Sequence, residues 1–340
     1  MNSNSSVGRI EWIDIAKGIL IILVVIGHMH IDHGLNRWIV NFHMPAFLIL
    51  SGFNFSINKN RSSFKAFLLK KTKTLMVPYF FFSALTIAVN ISVCFVFGDG
   101  LKSVAVNVFE TITLLGIRAL WFLPTLYFAE ILFRLLGKLH PLLCMTSVIL
   151  LATLFMMATY FYNVINLDYF GNAVYISVQR TAAAVVFLYI GSLFELVYRR
   201  FISLWVPWLS AVMAAVFLAL SVLVCFFSLG TSSFGSADIS CFLLFLLGAL
   251  PGSFGVLFFS IFIEKVRLTV LTYLGRNSLV IMAVHFLPLD IIDRAGLFTQ
   301  YYKSFRVLFN LGEFTVVILI CLVLIFFINK YCPIILGKTK

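Results

Sequence analysis

The sequence predicts an all-α, polytopic membrane protein, a bundle of about ten transmembrane helices with both termini in the cytoplasm. The 340-residue chain is 62% hydrophobic and 11% charged, with a mean hydropathy of +1.06, which excludes a water-soluble globule. Apolar stretches of about 20 residues, long enough to cross about 30 Å of hydrocarbon, recur along the whole chain. These stretches are continuous rather than alternating in polarity. They therefore predict helices, because backbone polar groups in lipid must be satisfied within the segment.

The predicted spans follow one another with short connections. They cover roughly residues 11–30, 38–57, 75–97, 119–137, 141–162, 175–197, 204–228, 240–263, 271–290 and 310–332. The longest polar connection runs from residue 59 to residue 74, and a soluble domain usually needs at least about 50 residues. Residues 1–340 are therefore expected to form a single integral-membrane domain. No cleavable signal is expected, since Asp14 and Lys17 interrupt the first apolar stretch.

Basic residues orient the bundle. Most of the 25 lysines and arginines fall in alternate connections, including the basic stretch from Lys59 to Lys73, as the positive-inside rule expects. Both termini are therefore predicted to be cytoplasmic, which requires an even number of spans. The net charge of +12 is explained by attraction to the anionic lipids of the cytoplasmic leaflet. The lipid bilayer is thus an expected partner, and nucleic acid is not.

The six cysteines predict neither a disulfide framework nor a metal centre. They are scattered through apolar segments without the Cys-x-x-Cys spacing of metal or redox sites. Small thiols in such segments usually pack in the core. No metal cofactor is expected.

The first predicted span carries ionisable residues along one stripe. Lys17 and His28 are eleven residues apart, so at about 100° per residue their side chains differ by about 20° in direction, and Asp14 lies about 40° from His28. The rise of about 1.5 Å per residue separates Lys17 from His28 by roughly 16 Å. Lys17 is expected near the cytoplasmic face and His28 in the outer half. The alternative is that Asp14 and Lys17 are interfacial residues and His28 is a hydrogen-bonded packing residue.

His43 is expected at the same membrane depth as His28. The second span enters from the outer side near Trp38, a typical interfacial residue, which places His43 about one turn deep. An imidazole is costly in hydrocarbon, so two of them at one depth indicate a site. His30 and His33, in or beside the outer connection, are interpreted as solvated.

Polar residues of later segments are predicted at the same outer level. They are Arg118 and Trp121 at the start of the fourth span, Arg180 in the sixth, and His285 with Asp290 in the ninth. Several helices would each place a costly residue at one depth, which favours a shared site. The alternative is structural: the two arginines extend outward or pair with Glu110 or Asp168, and the tryptophan is an interfacial belt residue.

The most specific motifs occur in the first two spans. They are Glu11–Gly18 (EWIDIAKG) leading to Val24–His28 (VVIGH), and Asn41–Phe47 (NFHMPAF) followed by Leu50–Phe53 (LSGF). Weaker motifs are Lys70–Lys73 with Pro78–Tyr79, Leu120–Pro124 (LWFLP), and Tyr273–Leu279 (YLGRNSL) leading to His285. Over nearly its whole length the chain resembles integral-membrane acyltransferase family 3, in particular its fucose 4-O-acetylase-like branch. Many members carry arginine where this chain has Lys17, which keeps the charge but loses the bidentate geometry.

The resemblance implies transfer of an acyl group, usually acetyl from cytoplasmic acetyl-CoA, to a hydroxyl of a surface carbohydrate, in the bacterial cytoplasmic membrane. Imidazole can take the hydroxyl proton near neutral pH. His28 is predicted as the base or as a transient acyl carrier, and His43 as a residue that orients it or binds the acceptor. The residues expected to hold the CoA phosphates are Lys17, Lys70, Lys71, Lys73 and Arg276. Those expected on the acceptor side are Arg118, Trp121, Arg180 and His285. Asp14 would repel phosphates and is predicted to pair with Lys17 or a neighbouring cation.

Two other function classes fit the same pattern. A transporter or flippase for a sugar or lipid-linked glycan would also have about ten helices with charges inside the membrane. A non-catalytic partner of a glycan assembly complex would tolerate His28→Ala. The candidate acceptors are an O-antigen, a capsule or another exopolysaccharide, with fucose or another deoxysugar expected from the branch, and the oligomeric state stays open.

Overall fold

The computed structural model describes residues 10–58, 63–98, 101–162, 169–227, 234, 242–266, 268–296 and 306–337. Within these ranges the regular elements are helices and no strand occurs, which confirms the all-α prediction. The helices are α1 Glu11–Gly27, α2 His33–Asn58, α3 Phe64–Lys71, α4 Val77–Phe97, α5 Lys102–Ile112, α6 Phe122–Leu136, α7 Pro141–Tyr162, α8 Tyr169–Arg200, α9 Pro207–Phe227, α10 Phe242–Ile263, α11 Thr269–Arg276, α12 Ser278–Val284, α13 Phe286–Arg294 and α14 Arg306–Tyr331. A π-helical segment at Thr72–Met76 joins α3 to α4, and 3-10 turns lie at Arg118–Trp121, Ile202–Leu204, Glu264–Val266 and Pro333–Leu336.

Each predicted apolar stretch contains a helix of the structure. Among the described residues, seven helices are long and apolar enough to cross a membrane, and the bent pair formed by α11 and α12–α13 makes an eighth. The two predicted spans outside this set are α1, which is 17 residues long, and α7, whose described apolar part is Pro141–Leu154. The number ten and the cytoplasmic termini stay predictions. Lys59 and Arg61 of the basic stretch, and Asp168, lie outside the described residues.

Local chemistry defines several helix ends. The Ser63 hydroxyl accepts a hydrogen bond from the Ala66 amide at 3.3 Å and so caps α3. Pro78 lies in the first turn of α4, where a missing backbone donor does no harm. The same helix ends at Gly98, which adopts the left-handed conformation (φ 74°) common after helices.

The helices divide into an inner set and a peripheral set. Side chains of α1, α2, α8 and α10 form the inner packing, where Trp12, Phe42, Phe53 and Phe187 are fully buried. Buried residues make up 72% of the apolar window of α2, but 17% of the window in Phe64–Phe97. The apolar surface of the peripheral helices suits contact with lipid, because a chain in a bilayer has no need to hide it.

Two helix crossings depend on glycine. A Cβ added to Gly275 of α11 would lie 1.8 Å from the Asp14 carbonyl oxygen, and one added to Gly18 of α1 would lie 2.1 Å from the Leu271 carbonyl oxygen. The α2–α8 crossing is equally close, since a Cβ on Gly52 would lie 2.1 Å from the Leu188 carbonyl oxygen. Small residues allow such backbone approach between membrane helices. The first motif and the YLGRNSL motif therefore meet in space.

The ninth predicted span is broken at Asn277. The segments Thr269–Arg276 and Ser278–Arg294 differ in direction by 65°. At the break, the Asn277 side chain donates to the Tyr273 carbonyl at 2.9 Å and accepts from the Asn329 amide of α14 at 2.9 Å. The break redirects the chain from α11, which packs against α1, into α12, which contacts both α1 and α14. It thereby sets the position of His285.

Candidate functional site

Three histidines from three parts of the chain meet at one level of the bundle. His28 ends α1, His43 lies in α2, and His285 lies between α12 and α13. The ring centroid of His28 is 5.4 Å from that of His285, in a stacked arrangement, and 6.5 Å from that of His43, edge to face. His43 and His285 are buried, whereas His28 is exposed. In this three-histidine cluster, His28 is thus the member most open to an incoming molecule.

The backbone fixes the proton position on the two buried rings. His43 Nδ1 lies 2.8 Å from the Ile39 carbonyl oxygen, and His285 Nδ1 lies 3.0 Å from the Ile281 carbonyl oxygen. A carbonyl oxygen can only accept, so each Nδ1 donates and each neutral ring keeps an Nε2 lone pair. The buried Nε2 of His285 has no hydrogen-bond partner among the described residues. Two imidazoles are thus held in the tautomer that can accept a proton at Nε2.

Phe286 connects the cluster to a charged pair. Its ring centroid lies 4.5 Å from those of both His28 and His285. The Arg118 guanidinium lies 5.3 Å from the Phe286 centroid and forms a 2.9 Å ion pair with Asp290. A guanidinium over an aromatic face is favourable electrostatically. A positive charge therefore stands one ring away from the histidines.

The segment before α6 holds Arg118 in an unusual conformation. Leu114 (φ 61°) and Arg118 (φ 50°) both adopt the left-handed region, which costs a residue with a side chain about 1 kcal/mol or more. Buried Arg180 donates to the Leu115 carbonyl at 2.8 Å, and its guanidinium lies 4.8 Å from the Trp121 ring centroid. Arg180 thus supports the segment rather than extending outward.

A carboxyl group lies near both arginines of this region. Burial raises the pKa of Glu110 above its ordinary value, and the positive charges of Arg118 and Arg180 oppose that rise. Glu110, which the structural alternative named as a partner of the arginines, therefore interacts with both of them electrostatically. The ion pair of Arg118, however, is made with Asp290.

A cavity of about 200 Å³ lies below the cluster. Lys17 and Asn54 line one part of it, and Phe47 and Met282 line another. Phe47 is four residues after His43, and Met282 is three residues before His285, so both lie about one helical turn from a histidine of the cluster. The cavity therefore extends from Lys17 to within about one helical turn of the histidines, which do not themselves line it.

A smaller polar cavity of about 110 Å³ adjoins Arg118 on its other side. Asp290 and Arg294 of α13 line it together with amide and hydroxyl side chains of α4 and α5, namely Asn90, Ser103 and Asn107. Amide and hydroxyl groups donate and accept hydrogen bonds at once. The lining of this cavity therefore offers both hydrogen-bond donors and hydrogen-bond acceptors.

Charges at the level of Lys17 are paired across helices. The buried carboxylate of Glu130 in α6 binds the Lys71 ammonium at 2.6 Å and accepts from the Ser51 hydroxyl at 2.8 Å. Asp14 forms a 3.1 Å ion pair with Arg276, so its partner is a neighbouring cation, as predicted. Lys70 and Lys73 are exposed on α3 and the π-helical segment.

The structure thus groups the predicted site residues at two levels. His28, His43, His285 and Arg118 belong to one level, with Arg180 and Trp121 supporting it from behind. Lys17, Lys71 and Arg276 belong to the other. Trp121 and Arg180 are buried, so Trp121 does not face lipid, and Arg180 does not extend outward but interacts electrostatically with Glu110, the other partner that the structural alternative named.

A family model described as an acyltransferase domain matches residues 10–330. The chain belongs to acyltransferase family 3. No significant match was found among curated proteins or among solved structures. The match makes a membrane acyltransferase the coarse function of the protein.

Sequence reasoning missed several residues of the candidate site. Glu130, Phe286 and the polar side chains of α5 lie in apolar or short segments without a motif. For Glu130 a signal existed, because a carboxylate inside a predicted span is rare unless it is paired. The left-handed conformation of Leu114 left no trace in the sequence, since leucine seldom adopts it.

Proposed function

We propose that this acyltransferase moves an acetyl group from acetyl-CoA to a hydroxyl of a surface carbohydrate in the bacterial cytoplasmic membrane, as fucose 4-O-acetylase-like members do. The observation that carries the proposal is the three-histidine cluster above a cavity that begins at Lys17. Acyl transfer to an alcohol needs a base at the hydroxyl and a route for the thioester. The two parts lie on the same helices.

The donor is proposed to enter at the level of Lys17. Its phosphates would lie at the cytosolic surface, where Lys17, Lys70 and Lys73 supply positive charge and Arg276 lies half exposed beside Asp14. The pantetheine arm would extend through the cavity past Ser51 and Phe47. Lys71 is assigned a supporting role, because its ammonium is bound by buried Glu130.

The acetyl-transfer step follows from the position of His28. A neutral imidazole nitrogen of His28 takes the acceptor hydroxyl proton while the hydroxyl oxygen attacks the thioester carbonyl. The tetrahedral oxyanion collapses with breakage of the C–S bond, and the imidazolium proton passes to the CoA thiolate. The products are an acetyl ester and CoA with a free thiol. His43 and His285 orient His28 and hold the local charge neutral before the proton moves.

The polar cavity beside Arg118 is proposed as the acceptor side. Its amide and hydroxyl side chains can hydrogen-bond sugar hydroxyls. Arg118 would donate further hydrogen bonds to them, and Asp290 would accept them. Trp121 and Arg180 are assigned to positioning Arg118 rather than to binding the sugar, since they support the segment from Leu114 to Arg118.

A detergent assay separates this function from a transporter. Purified protein is given acetyl-CoA labelled in the acetyl group and a deacetylated surface polysaccharide, and label on the polysaccharide and free CoA thiol are both measured. We expect the two products in equal amounts, because transfer needs no closed compartment. A transporter would give neither product in detergent. Mass spectrometry of surface glycans from strains with and without the gene then identifies the acetylated sugar.

A further inference from the structure

We infer that His30, Asp293 and Glu313 form a binding site for a divalent metal ion, with Zn²⁺ as the best fit. One ligand atom from each residue lies within 4.8 Å of the others. His30 lies in the connection between α1 and α2, Asp293 in α13 and Glu313 in α14. Three separate parts of the chain therefore bring a nitrogen and two carboxylate groups to one point.

Glu313 is the buried member of the group. It is 3% exposed and lies in the candidate membrane span Val307–Tyr331. The ionisable groups that act on its carboxylate are His30, whose charge is favourable to it, and Asp293, whose charge is unfavourable, and each offers a ligand atom within 4.8 Å of it. A buried carboxylate is unstable in a membrane unless it is hydrogen-bonded, paired or bound to a metal. The nearby Asp293 adds a second negative charge and increases the need.

The spacing of the donor atoms suits zinc. His30 Nδ1 and Asp293 Oδ1 are 3.6 Å apart, and two ligands of a tetrahedral ion with bonds of about 2.1 Å stand about 3.5 Å apart. The side chains of His30 and Asp293 are 59% and 48% exposed, so they have room to turn toward Glu313. Imidazole nitrogen and carboxylate oxygen are both donor types that bind zinc, and three of them leave a fourth tetrahedral position for water.

The ion would link the helices that surround the three-histidine cluster. His30 is two residues after His28, and Asp293 is one turn after Asp290 on the same helix. A metal shared by these elements and α14 would hold the end of α1 against α13. The sequence-based expectation of no metal rested on the spacing of the cysteines, and none of these ligands is a cysteine. The three ligands are also too far apart in sequence to form a spacing motif.

The test uses the full chain in detergent, stripped with EDTA and then titrated with ZnCl₂. Zinc content after desalting is measured by plasma mass spectrometry, and thermal unfolding is followed in parallel. We expect about one zinc per chain and a rise in Tm of about 5 °C at a zinc concentration near one hundred times Kd. Glu313→Gln and His30→Ala should lose both effects. His33→Ala, which removes a nearby exposed imidazole outside the triad, should keep both.

Two results would overturn the inference. One is an unchanged Tm and less than about 0.1 zinc per chain in the wild-type protein, where a bound site should approach full occupancy. The other is equal zinc content in wild type, Glu313→Gln and His30→Ala, which would place the ion elsewhere. His30→Ala and Asp293→Asn alter exposed side chains, so they keep the test decisive should Glu313→Gln fail to fold.

Discussion

The buried carboxylates at the level of Lys17 and the buried imidazoles at the level of the histidines are held in opposite ways. At the Lys17 level, charge meets charge across helices: Asp14 binds Arg276, and Glu130 binds Lys71. At the histidine level, the two buried rings donate to backbone carbonyls of their own helices, and the Nε2 of His285 has no hydrogen-bond partner among the described residues. We call the Lys17 level closed because its two buried carboxylates are paired with cations. We call the histidine level open because the Nε2 of His285 is left to accept a proton.

The difference indicates separate tasks for the two levels. A carboxylate that is already bound to a cation is a poor proton acceptor, because its charge is stabilised. A neutral imidazole with a free Nε2 can accept a proton and return it. We therefore assign the chemistry to the histidine level and assign helix alignment and donor binding to the Lys17 level.

The largest expected effect comes from removing His28, which is the proposed base and the exposed ring of the cluster. His28→Ala should lower kcat for acetyl transfer about 10³-fold, within the range that general-base catalysis contributes. Label transfer from acetyl-CoA to polysaccharide in detergent measures it. His33→Ala is the matched control, since it removes an exposed histidine near the same connection, and should keep the wild-type rate. A His28→Ala rate within twofold of wild type would remove the base assignment.

The closed level is tested through the Lys71–Glu130 pair. Glu130→Ala should lower the free energy of unfolding by about 3 kcal/mol, because it leaves a partly buried ammonium and the Ser51 hydroxyl without their partner. Lys71→Met combined with Glu130→Ala should recover part of the loss, and Lys71→Met alone completes the double-mutant cycle. Denaturant unfolding in detergent gives all four values of the cycle. Strict additivity of the single losses would show that the pair contributes no coupling.

The glycine crossing tests whether the Lys17 level aligns the helices. Gly275→Ala should lower the free energy of unfolding by about 2 kcal/mol, because the added Cβ would lie 1.8 Å from the Asp14 carbonyl oxygen. Gly312→Ala is its control: a Cβ there meets no atom within 4 Å, and alanine should stabilise that helix by up to about 1 kcal/mol. Thermal unfolding measures the change in stability of each variant. An equal change in both would contradict the close crossing.

The smallest expected effect concerns donor binding. Lys17→Ala should raise KM for acetyl-CoA about tenfold, equivalent to about 1.4 kcal/mol, with little change in kcat, because a contact to a CoA phosphate is the same in the ground and transition states. Lys65→Ala, an exposed lysine on α3, is the comparison. A fall in kcat at unchanged KM would move Lys17 from donor binding to the chemical step.

The helices and the level of the site could be predicted because both depend on local sequence. Continuous apolar stretches predicted a helix at each of the ten positions, and the spacing of Lys17 and His28 along α1 predicted their separation. A shared depth was predicted for His28 and His43 and favoured a common site, but depth alone does not bring two residues together. His285 was expected only on the acceptor side, since a 65° break at Asn277 has no equivalent in a hydropathy pattern.

Tertiary contacts account for what sequence reasoning could not supply. The choice of Arg276 as partner of Asp14 depends on the approach of α11 to α1, which two glycines permit. The orientation of Arg118 depends on two left-handed residues and on the bond from Arg180 to the Leu115 carbonyl. Each of these features requires coordinates of two elements at once, whereas a motif describes one.

The central claim is that a thioester enters at the Lys17 level and reacts at the histidine level. Sealed membrane vesicles of both orientations test it directly, because acetyl-CoA does not cross the bilayer. Labelled acetyl-CoA is added outside, and label on the membrane-associated glycan is counted. We predict label in inverted vesicles, which expose the cytosolic face, and none in right-side-out vesicles. Equal labelling in intact vesicles of both orientations would contradict the account.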